Sequence, residues 1–469
     1  MSSLFREYDI RGIAESELTP QIAWALGKAL GEKIKAAGEQ YVYVGQDVRL
    51  SSPRLAQNLS WGLENSGLKV IRIGEGPTPL LYFSAARPLP HHKTNSGIMV
   101  TGSHNPPEFN GFKMVVGGKT LYGDQIQELK KSVEKYLSEK PPTSSELISG
   151  TFESVSRFEN YVSFLKNNIS VKKKVRVVLD AGNGAAGPLA VKTFEALGCD
   201  VISIFCDPDG RFPNHHPDPT VPKNLVHLQK AVIEHKADLG IGFDGDGDRI
   251  GAVTSTGRIL FGDHLILYLS RDIIAEVKNP TIISDVKSSQ VLFDELKKLG
   301  ANPILWKTGH SLIKAKLFET GAQLAGEMSG HIFFKHRYLG FDDAIYAGAR
   351  LVESLSKRTE TLDQFLDSLP PCFNTPEIRV DCPDDRKFEV VKEMVLEAKK
   401  QFKDQVFDLD GARIKFPFGW GLVRASNTQP ILVFRFEASS KENLPKVRKV
   451  FVDLLGGIDK TITIPPIES

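Results

Sequence analysis

The chain has 469 residues, a formal net charge of +2 and four cysteines. That length exceeds one hydrophobic core and predicts three or four domains. The near-neutral charge argues against a nucleic-acid partner, and cysteines this sparse, none in a C-x-x-C pair, argue against a disulfide scaffold or a thiolate metal site. Apolar runs such as Val175–Leu179 are strand-length, far short of the roughly 20 residues that span a bilayer. The opening MSSLFREYDIRG has no apolar leader core. A cytoplasmic protein with no membrane partner is expected.

In chain order, Tyr8-Asp9-Ile10-Arg11-Gly12 offers an early arginine. Tyr41–Gly45 reads as a strand, followed by a polar loop, a helix-period segment, a glycine stop at Gly67 and a second strand at Lys69–Gly74. The same unit recurs twice. Val175–Leu179 leads through Asp180–Gly184 and a helix to Gly198 and the strand Asp200–Phe205; Thr281–Ser284 leads through Asp285–Lys287 and a helix to Gly300 and Asn302–Trp306. Each copy places an aspartate at the end of its first strand (Asp47, Asp180, Asp285) and a glycine where a helix C-cap belongs. Strand–helix–strand units of this kind form right-handed crossovers between parallel strands. Proline- and serine-rich breaks occur at Lys140–Ser145 and near Leu369–Pro371. Beyond the second, the pattern alternates, as in Ile431–Glu437, around an amphipathic segment Lys387–Phe402. The expected fold is α/β: three similar α/β domains with mixed sheets between helices (1–150, 151–256, 257–370) and a C-terminal α+β domain (371–469).

Four segments carry chemistry. Thr101-Gly102-Ser103-His104-Asn105-Pro106-Pro107 follows the buried-strand pattern Gly97–Val100, and its prolines exclude helix. It offers one hydroxyl nucleophile at a strand's carboxyl end, where α/β sheets bind ligands; no G-x-S-x-G elbow surrounds Ser103. A serine that carries a phosphoryl group needs an exposed hydroxyl, backbone amides, a cation and a divalent metal. Phe243-Asp244-Gly245-Asp246-Gly247-Asp248-Arg249 supplies three carboxylates between strand-like flanks, a hard-oxygen set for Mg²⁺ or Ca²⁺. An EF-hand does not fit, because loop positions six and twelve are Arg249 and Ser255. Gly326-Glu327-Met328-Ser329-Gly330-His331 is a polar comb suited to sugar hydroxyls and proton transfer. Arg424-Ala425-Ser426-Asn427-Thr428 suits a phosphate cradle.

Taken together and in order, YDIRG, TGSHNPP with NGFK, FDGDGDR, GEMSGH and RASNT resemble the motifs of the α-D-phosphohexomutases, nearest to the bacterial phosphomannomutase/phosphoglucomutase branch, over essentially the whole chain. The resemblance implies four domains around a central cleft. It implies a phosphoserine at Ser103, whose phosphate and Asp244, Asp246 and Asp248 hold Mg²⁺. Arg11, Lys113 and Arg249 would surround the transferring group, with Lys113 assisting proton transfer and His331 as acid/base. Glu327 and Ser329 would grip sugar hydroxyls. Tyr8, Lys287, His310, Arg424, Ser426, Asn427 and Thr428 would bind the non-reacting phosphate or ring oxygens. The implied reaction moves phosphate between C1 and C6 of mannose or glucose through a 1,6-bisphosphate, with glucose 1,6-bisphosphate as activator, in a monomer or alternatively a dimer. Two other readings stand beside it: a phosphoglucosamine mutase, from which the methionine of GEMSGH separates this chain, and a catalytically idle sugar-phosphate-binding protein.

Overall fold

The structure, a computed structural model, describes residues 4–138, 152–426 and 429–467. Among these, no helix is long and apolar enough to cross a membrane. Four sheets form. In the first, Tyr41–Gln46 lies between Lys69–Glu75 and Gly97–Val100, both parallel to it, and Gly97–Val100 pairs antiparallel with Phe109–Val116. The second repeats this order: Arg176–Asp180 lies between Asp200–Ile204 and Leu239–Phe243, and the last pairs antiparallel with Ile250–Thr254. So does the third, with Thr281–Asp285 between Asn302–Trp306 and Leu324–Gly326, and Leu324–Gly326 antiparallel to Ile332–Phe334. The fourth sheet is antiparallel, with Gly419–Ala425 between Ala412–Phe416 and Ile431–Ala438.

The repeat has local causes. Gly67, Gly198 and Gly300 follow their helices with φ of 91°, 84° and 87°, a left-handed conformation that glycine adopts without a Cβ clash. Asp47, Asp180 and Asp285 are all buried. Each accepts hydrogen bonds that pin the loops at its sheet's carboxyl edge: Asp47 from Gly102 N at 3.1 Å, Asp180 from Gly182 N at 2.9 Å, and Asp285 from Ser288 Oγ at 2.9 Å and Met328 N at 3.3 Å. Burying a carboxylate is costly, and hydrogen bonds of this kind offset the cost.

Short strands extend two sheets past the expected junctions: Glu153–Ser154 pairs beside Lys69–Glu75, and Ile259–Leu260 pairs beside Ile250–Thr254. One apolar core runs through all three α/β domains and includes Phe83, Tyr161, Phe194 and Tyr346. The helix Ala344–Ser356 is buried along its whole length within that core, which makes it a spine and not a surface element. The C-terminal domain keeps its own core around Met394, Phe434, Phe436 and Phe451. It meets the third domain where Trp420 and Leu422 pack on Val286 and Arg413 donates to Val286 O (2.6 Å) and Ser288 O (2.8 Å).

Candidate active site

The three α/β domains present their motif loops at one topological position. TGSHNPP, DGDGDR and EMSGH each link the third parallel strand of a sheet to its antiparallel partner. Each motif is therefore a hairpin loop at the carboxyl edge, where side chains from different domains can converge.

Ser103 holds a left-handed backbone, φ 51°, uncommon for a residue with a Cβ and sustained only by its surroundings. Its N–H donates to Thr101 Oγ1 (2.8 Å), and its carbonyl accepts from Arg49 (2.7 Å). The Arg49 guanidinium also donates to the carbonyls of Asn105, Pro106 and Phe109. The loop is thus wound around one buried arginine. The expected exposure of the hydroxyl is not met: Ser103 is only 1% exposed. What covers it is the second domain, since Oγ donates to Asp244 Oδ2 at 2.9 Å. Gly245 permits that approach, because a Cβ there would stand 2.3 Å from the Ser103 carbonyl oxygen.

The three aspartates converge as expected, all buried and with ligand-capable oxygens within 4.8 Å of one another. Asp244 Oδ1 accepts from the N–H groups of Asp248 (3.0 Å) and Arg249 (3.1 Å), which curls the loop onto its first carboxylate. Lys113 Nζ donates to Asp246 Oδ2 at 2.7 Å and to Asp248 Oδ2. Thr78 Oγ1 also donates to Asp246 Oδ2, and Thr78 N to the Asp246 carbonyl at 2.8 Å. Burial, then the neighbouring carboxylates, push Asp244 and Asp248 above the usual carboxylate range. Burial alone would raise Asp246 too, but Lys113 and the hydroxyl of Thr78 hold it below that range. The same carboxylates overcome burial at Lys113 and keep its ammonium protonated well past the ordinary lysine value. Asp246 Oδ1 and Asp248 Oδ1 are buried and make no hydrogen bond. Two unsatisfied carboxylate oxygens beside a third carboxylate fit a hard divalent cation.

Around this centre, Arg11 donates to Asn105 Oδ1 of the serine loop (2.8 Å) and to Asp9 Oδ2 (2.6 Å). Arg249 Nε donates to His331 Nε2 at 3.0 Å. The other His331 nitrogen stands 3.0 Å from Asp342 Oδ2 and 3.5 Å from Asp248 Oδ1. His331 stacks on His310 at 5.5 Å, whose imidazole burial and then Lys314 hold well below the ordinary histidine value. Glu327 is buried; it accepts from Gly309 N, and from Ser329 Oγ at 3.3 Å. Tyr8 donates to the Thr308 carbonyl (3.0 Å) and meets His310 edge-on.

The C-terminal cations lie across the junction of the third and fourth domains. Lys287 Nζ donates to Glu377 Oε1 at 3.0 Å, and Arg424 Nε to Asp410 Oδ2 at 3.0 Å. Asp410 Oδ2 also accepts from Thr308 N at 3.2 Å, which ties Arg424 to the loop that holds Tyr8. Ser426 is buried, and its hydroxyl accepts from Gln429 N at 3.1 Å. Asn427 and Thr428 lie outside the described residues.

Sequence reasoning missed Thr78, Asp342, Lys314 and Asp410, each a single residue outside any motif. Asp342 and Asp343 form an adjacent acidic pair after a glycine turn, and that was the available signal.

Four domains of the phosphoglucomutase/phosphomannomutase family match in order: alpha/beta/alpha domain I over residues 2–140, domain II over 159–257, domain III over 261–373 and the C-terminal domain over 377–454. The chain belongs to this family. It is 45% identical to the phosphomannomutase/phosphoglucomutase of Pseudomonas aeruginosa over 99% of this chain and 98% of that one. It is 41% identical to the phosphoglucomutase of Neisseria gonorrhoeae over 96% of this chain and 95% of that one. The crystal structure of a phosphoglucomutase/phosphomannomutase family protein from Burkholderia thailandensis superposes with a TM-score of 0.92 at 41% identity, covering 99% of this chain and all of the other. The expected four-domain architecture agrees with these relatives.

Proposed function

We propose that this enzyme interconverts the 6-phosphate and 1-phosphate of mannose or glucose, with Ser103 as the phosphoryl carrier. The mutase reaction rests on full-length relatives named for it. The role of Ser103 rests on one observation: its hydroxyl bonds Asp244 inside a buried cluster of three aspartates and a lysine.

In this reading, Ser103 carries a phosphate ester. A sugar hydroxyl attacks phosphorus, the new P–O bond forms as the P–Oγ bond breaks, and the hydroxyl proton leaves to a base. His331 is the candidate, its Nε2 lone pair now facing Arg249. The 1,6-bisphosphate turns over in the cleft, Oγ attacks the opposite phosphate, and the proton returns to the departing sugar oxygen. Lys113, Arg11 and Arg249 hold the phosphoryl oxygens, and their fixed charges supply most of the stabilisation in transfers of this type. Asp244, Asp246 and Asp248 would hold a magnesium ion, which neutralises charge on the phosphate when bound. Glu327 and Ser329 would accept and donate to sugar hydroxyls, a contact usable in either orientation. Tyr8, Lys287, His310, Arg424, Ser426, Asn427 and Thr428 would take the second phosphate or the sugar's ring oxygens. Glucose 1,6-bisphosphate would act as activator by charging Ser103. The protein would work as a monomer or dimer in the cytoplasm.

Intact-mass measurement of active protein should show one added phosphate, absent from Ser103→Ala. A coupled assay with mannose 1-phosphate and glucose 1-phosphate, plus catalytic glucose 1,6-bisphosphate, should show turnover that exceeds that on glucosamine 6-phosphate. Full activity in unphosphorylated protein without bisphosphate would overturn the carrier role.

A further inference from the structure

We infer that His91, His92 and Glu153 form a second metal site, for a borderline transition-metal cation such as Zn²⁺, separate from the aspartate cluster. The three ligand atoms lie within 4.8 Å of one another. Glu153 Oε2 is 2.8 Å from His92 Nε2, and Oε1 is 3.7 Å from His91 Nε2. Two imidazoles and a carboxylate, leaving one position for water, are a zinc donor set. Bonds of about 2.0–2.1 Å at tetrahedral angles set neighbouring ligand atoms roughly 3.4 Å apart. One contact must open and the other close by about half an ångström or so. The side chains of His91 and Glu153, 68% and 46% exposed, are free to make that adjustment.

The surroundings orient His92 beforehand and hold the backbones of the other two ligands near it. His91 sits in a turn closed by His92 N donating to Leu89 O at 2.9 Å, with Pro90 inside it. The buried Tyr43 hydroxyl accepts from Leu89 N at 3.1 Å and meets His92 Nδ1 at 3.1 Å. That contact aims His92 Nε2 at the carboxylate. Tyr43 pairs with Ile71, and Ile71 with Glu153, across three parallel strands. The side chains of Tyr43 and Glu153 therefore leave the same face of the sheet. A cation takes the lone pair of His92 Nε2 and leaves the ring proton on Nδ1, toward the Tyr43 oxygen, an outer partner of the kind that orients ligating histidines. The bound ion would fasten the edge strand Glu153–Ser154, which leads into the second domain, to the turn of the first.

The test uses the full-length chain, stripped with a chelator and titrated with Co²⁺ in excess Mg²⁺. We expect a tetrahedral Co²⁺ absorption saturating at one equivalent and bleached by Zn²⁺. His91→Ala and Glu153→Gln should each weaken Co²⁺ binding by about tenfold or more. Zn²⁺ should raise the melting temperature of wild type but not of Glu153→Gln. Both variants alter exposed side chains, whereas His92 is packed on Tyr43 and its replacement would confuse folding with binding. Asp246→Asn should leave the signal intact, which separates this site from the one proposed for catalysis. No tetrahedral signal in wild type, unchanged affinity in both variants, or loss of signal in Asp246→Asn alone would each overturn the inference.

Discussion

The two ends of the cleft handle charge differently. At the serine end, three buried carboxylates and one ammonium form a cluster in which Ser103, Lys113, Thr78 and backbone amides take four of the six oxygens, and two carboxylate oxygens are left with no hydrogen bond. At the C-terminal end, each cation already has one acidic partner, Glu377 for Lys287 and Asp410 for Arg424. Under the proposed function, the first end would take a cation and a transferring group whose charge develops there. On the same proposal, the second would have to exchange a carboxylate for a substrate phosphate, or share its cation with one. Chemistry is thus expected to depend on the first end and affinity on the second.

The largest effect tests the first end directly. Ser103→Ala should lower kcat by about three orders of magnitude or more, with the melting temperature little changed, because the loop is held by its backbone. Asp248→Asn comes next. It should weaken Mn²⁺ binding, measured by calorimetry, by about tenfold or more and lower kcat in parallel. Unchanged metal affinity would break the contrast. Arg424→Ala should raise KM for glucose 1-phosphate by about tenfold or more, from loss of a charge-assisted contact worth about 1.5–3 kcal/mol, with kcat much less altered. A dominant fall in kcat would mean that the two ends are not separable. The smallest effect concerns acid stability. Lys287 holds the Glu377 carboxyl down to about 2, against an ordinary 4.5. The folded value is depressed, so this pair stabilises fully above pH 4.5 and loses that contribution as pH falls toward 2. The gap in melting temperature between wild type and Glu377→Gln should therefore narrow over that window.

Much of the architecture was legible because it rests on local rules. Gly67, Gly198 and Gly300 mark helix ends by backbone sterics alone, and Lys387–Phe402 appears in the fold with those same limits. The family followed from five motifs in order, and relatives along the whole chain agree with it. The equivalence of the three motif loops was not visible, because it depends on which strands become neighbours. Nor was the burial of Ser103. A run of glycine, serine, histidine and asparagine reads as solvent-facing, and the acid that covers the hydroxyl lies 141 positions away. Thr78 meets Asp246 from another domain, and Asp342 meets Lys314 and His331 from separate elements, contacts that leave no periodic trace.

One consequence follows from how Ser103 is held. The hydrogen bonds that hold its backbone and that of Gly102 come from Asp47, Arg49 and Thr101, while its acidic neighbour arrives from the next domain. If Ser103 is the carrier proposed above, its loop can adopt its shape during synthesis before Asp244, Asp246 and Asp248 have left the ribosome. A nascent first domain would carry a correctly posed but chemically idle serine, guarded from premature esterification until the rest of the polypeptide closes over it.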